Sequence, residues 1–175
     1  MPVHVKTNPP MTEEDELVFI EKMNVACGIV DQLKKTSPEV KRVICALHEP
    51  IDDYQRFDFQ SELKAQYEDA LHQGGFSPRL ARKFSLMFVF NTVRDIEIVL
   101  VKRGDSIVVH FLCKTVKALY ELGQMIVSGF MHAVFAAAIE PPAHTTVDVY
   151  VRADEFNLRL FQLSSPQDKG NSVDR

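Results

Sequence analysis

Six histidines, three cysteines and one adjacent pair of aspartates are the side chains of this chain that could do chemistry. His4, His48, His72, His110, His132 and His144 are scattered. None stands at a metal-ligand interval from another histidine, a cysteine or an acid. His110 and His132 lie in apolar stretches and read as hydrogen-bonded core or rim residues. Asp52 and Asp53 are neighbours, so in a strand they would point to opposite faces and make a poor acid–base pair. Cys27, Cys45 and Cys113 are odd in number and each sits in an apolar run. That favours buried small hydrophobes in a reducing compartment over a reactive thiol or a disulfide framework. No Asn-x-Ser/Thr site occurs, which agrees with the same compartment. Glycine-rich phosphate loops, a G-x-S-x-G elbow and H-E-x-x-H are also missing from the sequence. Arg79, Arg82, Lys83 and Arg94 cluster locally; they could seat a phosphate or an acidic partner, but a solvated helix face is the plainer reading. The expectation is a chain with no catalytic residues, metal or cofactor.

Composition narrows the partners. A 175-residue chain that is 46% hydrophobic is long enough for one core and too apolar for disorder. A net charge of −4 gives no electrostatic reason to expect nucleic acid. Sheet-mediated RNA binding would need aromatics on the central strands for base stacking. The candidates there are Ile, Val and Leu with Phe111 alone, and the chain has no Trp.

The elements that would position these residues centre on 95–139. Residues 95–101 and 106–112 read as two strands joined by the polar turn Lys102-Arg103-Gly104-Asp105. Arg103-Gly104-Asp105 spells an integrin tripeptide, but a hairpin turn is the better account. Ile96, Ile98 and Leu100 share one face and Val99 and Val101 the other, so the first strand should be central. One long apolar helix is expected over 115–139, ended by Pro141-Pro142. Its stretch 122–139 carries no charge, but Gln124, Ser128, His132, two glycines and several alanines favour a buried core helix over a membrane span.

Residues 1–11, with prolines and little apolar character, read as a flexible leader. Over 12–50 a helical hairpin extension is expected: Thr12 caps the first helix, and Ser37-Pro38 opens the second. An α/β sandwich would fill 51–163. It would start with a strand at Arg56-Phe57-Asp58-Phe59, where apolar and polar residues alternate. Helices then follow over 60–73, ended by Gly74-Gly75, and from Ser77-Pro78 to about 91. Residues 145–152 alternate as a half-exposed strand, 153–163 suggest a short helix, and 164–175 a polar linker. The predicted class is α+β, a ferredoxin-like split β-α-β sandwich with helices on one face of an antiparallel sheet.

Three short stretches carry a resemblance: Leu71-His-Gln-Gly-Gly-Phe-Ser-Pro78, Lys102-Arg-Gly-Asp105 with 107–113, and Val147-Asp-Val-Tyr-Val-Arg-Ala153 followed by Leu158. In this order, over 60–163, the chain resembles the N-terminal domain of the TRADD death-receptor adaptor family. The hairpin over 12–50 has no counterpart there. The resemblance implies a non-enzymatic cytoplasmic module of a signalling or innate-immunity protein, whose sheet surface recruits a TRAF-type trimeric adaptor. It places Arg152 and Ile107 at the partner, and the family's first-strand aromatics near Phe57 and Phe59. The competing functions are a membrane-active protein that inserts 122–139, and a small-molecule-binding α/β protein.

Overall fold

The structure is a computed structural model that describes residues 1–165. These residues form, in order, β1 (Pro2–Asn8), α1 (Glu13–Thr36), α2 (Pro38–Leu47), α3 (Asp53–Gln73), α4 (Pro78–Val93), β2 (Ile96–Arg103), β3 (Ile107–Cys113), α5 (Val116–Val127), α6 (Phe130–Ile139), β4 (Thr146–Tyr150) and α7 (Ala153–Ser164). The chain is α+β, with an open antiparallel sheet of four strands in the order β2-β3-β1-β4.

The supposed leader is a central strand. β1 pairs with β3 on one side and with β4 on the other, with Val5 opposite both Ile107 and Val149. Val3 and Val5 are fully buried. Pro2 is tolerated because it stands at the first position of the strand. With β1 in that place, β2 becomes an edge strand. A bulge between Ile98 and Leu100 leaves Val99 and Leu100 exposed, a device that protects open sheet edges from pairing with other chains.

The strand expected at 56–59 lies in the second turn of α3. Asp52 and Gln55 form a reciprocal capping box that starts the helix, and this local signal overrides four residues of alternation. The other caps follow the sequence. Thr12 accepts from Asp15 N, Ser37 from Val40 N, Ser77 from Leu80 N and Thr115 from Ala118 N. Gly74 closes α3.

The long rod is two helices. Gly129 takes φ +84°, and α5 and α6 meet at 63°. No single helix among the described residues is long and apolar enough to cross a membrane. One core joins all layers: Val3, Ile107, Val109 and Phe111 from the sheet, Phe19 and Met23 from α1, Val40 and Val43 from α2, Tyr67 from α3, Phe84 and Met87 from α4, and Met131 and Phe135 from α6. The helices α1 and α2, within the expected hairpin extension over 12–50, therefore share this core. Residues 166–175, most of the expected linker, lie outside the described residues, and Ser164 ends α7.

Candidate functional site

Alternation in the strands gives the sheet a core side and a far side. His4 and Lys6 of β1, Val108, His110 and Leu112 of β3, Leu100 and Lys102 of β2, and Asp148 and Tyr150 of β4 share the far side, as their pairings require. α7 reaches this side where β1 begins and β3 ends. Its Glu155 Oε1 lies 2.8 Å from His4 Nε2, and Arg159 donates to the carbonyl oxygen of Cys113 at 2.8 Å. The apolar edge of α7 meets α5, with Phe156 edge-on to Tyr120 at 5.8 Å between centroids. No residue of α7 is buried, and Leu158 and Phe161 point outward at 59% and 71% exposure. Val99 and Leu100 are 56% and 50% exposed on β2. The result is a sheet edge and a helix, each with large apolar side chains in water.

His4 is the most tightly held polar group of this side. Its Nδ1 is 3.0 Å from Ser106 Oγ, its Nε2 is 2.8 Å from Glu155, and its ring stacks on Tyr150 at 5.2 Å. A hydroxyl, an imidazole and a carboxylate in a row is the arrangement that activates a serine nucleophile. Here Ser106 and His4 are each only 5% exposed, so a substrate carbonyl has no approach to the hydroxyl. The row instead ties α7 to β1 and to the β2–β3 turn. A fluorophosphonate probe is expected to leave the protein unlabelled, as read by intact mass; labelling at Ser106 would show an enzyme. His110 lies on the same side. Burial, then nearby Lys102, holds its pKa below the usual histidine range. Its Nε2 is buried and has no partner among the described residues.

The residues singled out from the sequence do not converge. Arg152 is exposed at the N-cap of α7 and makes no side-chain cap bond. Ile107 is 1% exposed and faces the core opposite Val5, so it cannot touch a partner in this conformation. Phe57 is exposed and Phe59 half-buried, both on α3 in the helical layer. The first strand of the chain, β1, offers His4 and Lys6 outward, and neither is an aromatic contact of the expected kind. Cys45 is exposed on α2, against the expectation that all three cysteines are buried. His132 is likewise on the surface. Arg103 of the tripeptide is taken up by Glu13 and Glu16 of α1 at 3.2 and 3.1 Å. Arg94 pairs with Glu121 at 3.3 Å and lies over the Phe90 ring, while Arg79 and Arg82 are exposed. Sequence reasoning names His4, Leu100 and Leu158, but not as residues of this side of the sheet or as partner-facing ones. The alternation Val3-His4-Val5-Lys6-Thr7 was the available signal for the first.

Among the described residues, no group of three or more His, Cys, Asp or Glu side chains is placed to hold a metal ion. Compared with protein-family models, curated proteins and solved structures, the chain finds no significant match.

Proposed function

We propose that this chain is a non-enzymatic protein-interaction module of a signalling or innate-immunity protein. In this reading the far side of the sheet and α7 together receive a protein partner, a TRAF-type trimeric adaptor in the manner of the TRADD N-terminal domain. The observation that carries the reading is the exposure of Val99 and Leu100 on the sheet and of Leu158 and Phe161 on α7. Large apolar side chains grouped on open elements and ringed by charge mark docking surfaces on soluble proteins. Lys102 and Glu97 flank the sheet residues, and Arg152 and Asp154 flank those of the helix. The strand order β2-β3-β1-β4, with helices between β1 and β2 and between β3 and β4, supports the ferredoxin-like plan for the domain.

The apolar residues would supply most of the binding energy and the charged rim would set orientation. Arg152 is the rim residue to test, because its side chain makes no hydrogen bond or ion pair among the described residues. Arg152→Ala should weaken binding of a TRAF-domain trimer by roughly 5- to 30-fold, about 1–2 kcal/mol and short of a hot spot, with an unchanged melting temperature. Titration calorimetry alongside thermal unfolding reads both. A trimer that does not bind the wild-type protein would overturn the partner assignment. Equal loss of binding and stability would make Arg152 structural.

A further inference from the structure

A cleft of about 570 Å³ opens between α3, the α4–β2 turn and the start of α5. Its volume falls within the roughly 300–1,000 Å³ of small-molecule sites. Arg56, Arg94, Lys114 and Lys117 line it against two acids, Asp95 and Glu121. The lining thus carries two positive charges in excess, in a chain whose net charge is −4. Both acids already have a basic neighbour: Glu121 pairs with Arg94 at 3.3 Å, and Asp95 Oδ1 lies 3.4 Å from His48 Nε2. Arg56, Lys114 and Lys117 pair with no carboxylate among the described residues. Arg56 donates to the carbonyl oxygen of Leu47 at 3.3 Å. Lys114 and Lys117 are exposed, so a ligand can reach their ammonium groups.

We propose that this cleft binds a soluble phosphate monoester carried on a small hydroxylated body, the chemistry of a sugar phosphate. A phosphomonoester holds about −1.5 to −2 charges at pH 7, which matches the surplus in the lining; a carboxylate would neutralise half of it. Lys114 and Lys117 flank Thr115, the N-cap of α5, so an anion between them also meets the positive end of that helix. Gln60, half-buried, brings a donor and an acceptor for hydroxyl groups, and Asp95 brings acceptors. Phe90 and Val93 supply an apolar wall for the carbon skeleton. Of the basic residues that cluster in the sequence over 79–94, Arg94 alone lines the cleft. None of the lining residues belongs to the docking surface proposed above, so the two readings stand or fall separately.

The test uses the full chain with glucose 6-phosphate as the probe, and glucose and inorganic phosphate as its two halves. In ¹H–¹⁵N spectra, glucose 6-phosphate should give saturable shifts centred on the amides of Lys114, Thr115 and Lys117 and on the Gln60 side-chain NH₂. Inorganic phosphate should bind about tenfold more weakly for want of the hydroxyl contacts, and glucose should not saturate. Lys114→Ala with Lys117→Ala should weaken glucose 6-phosphate by about tenfold or more, as charged hydrogen bonds are lost. The melting temperature should not change, because both lysines are exposed. Gln60→Ala should weaken glucose 6-phosphate but not inorganic phosphate. Arg79→Ala, exposed at the far end of α4, should leave the affinity unchanged. Absence of saturation, equal affinity for inorganic phosphate, or full affinity in the lysine variant would overturn the assignment. An equal loss in Arg79→Ala would reduce the binding to diffuse attraction and overturn it too. Protein that ignores glucose 6-phosphate but floats with phosphatidylcholine vesicles containing phosphatidylinositol 4-phosphate would replace the soluble ligand by a lipid headgroup.

Discussion

Deletion of residues 1–8 is expected to abolish the cooperative thermal unfolding of this protein, with loss of the β-sheet signal in circular dichroism. β1 is the only strand that joins β4 to the β2–β3 hairpin among the described residues. Without it, two ladders vanish and the facing edges of β3 and β4 open together. Val3 and Val5 are fully buried, and each contributes about 1.5–3 kcal/mol by burial. The His4 ties to Ser106 and Glu155 go with them, so α7 loses its anchor to the sheet. Domains of ordinary stability hold about 5–15 kcal/mol in total, and the summed loss is of that size. A truncated protein that still melts in one sharp transition within about 5 °C of the wild type would restore the view of 1–8 as a dispensable leader.

The reason that strand escaped notice is physical. Its inward residues are two valines and a threonine, its outward ones are polar, and prolines stand at both ends. Periodicity over so short a stretch is weak, and the strand is stabilised by neighbours that are more than a hundred residues away in sequence. Local chemistry, by contrast, was legible. Thr12, Ser37, Ser77 and Thr115 start helices because each hydroxyl meets a backbone N–H three residues on. Gly104 marks the β2–β3 turn. The assignment of faces was less accessible. Whether Ile107 looks inward depends on its register with Val5, and one residue of slip would turn it outward. The same missing strand explains the misplaced aromatics. With β1 unseen, Phe57 and Phe59 were the nearest alternating pair, although Asp52 and Gln55 already signalled a helix start.

The identity of the apolar rod as core decides between the docking reading and its membrane-inserting rival. Phe135→Ala tests it with the largest expected effect of any single substitution considered. Phe135 on α6 is fully buried and meets Phe19 of α1 edge-on at 5.9 Å. Truncation removes the ring's transfer free energy and opens a cavity that α1 and α6, fixed at many other contacts, cannot close. Such changes cost about 3–5 kcal/mol, which for a domain of this size lowers the melting temperature on the order of 10 °C. Val127→Ala is the control, since Val127 is 84% exposed at the end of α5, and a shift of about 0.5 kcal/mol or less is expected there. If α6 instead leaves the fold readily to enter a bilayer, its packing contributes little to the soluble form. Phe135→Ala would then scarcely move the melting temperature, and the wild-type protein would float with liposomes while the variant stayed behind. A large loss of stability together with wild-type protein that remains at the bottom of the gradient places Phe135 in a core that stays closed. Leu100, Leu158 and Phe161 are then among the large apolar side chains that stay exposed for the proposed partner.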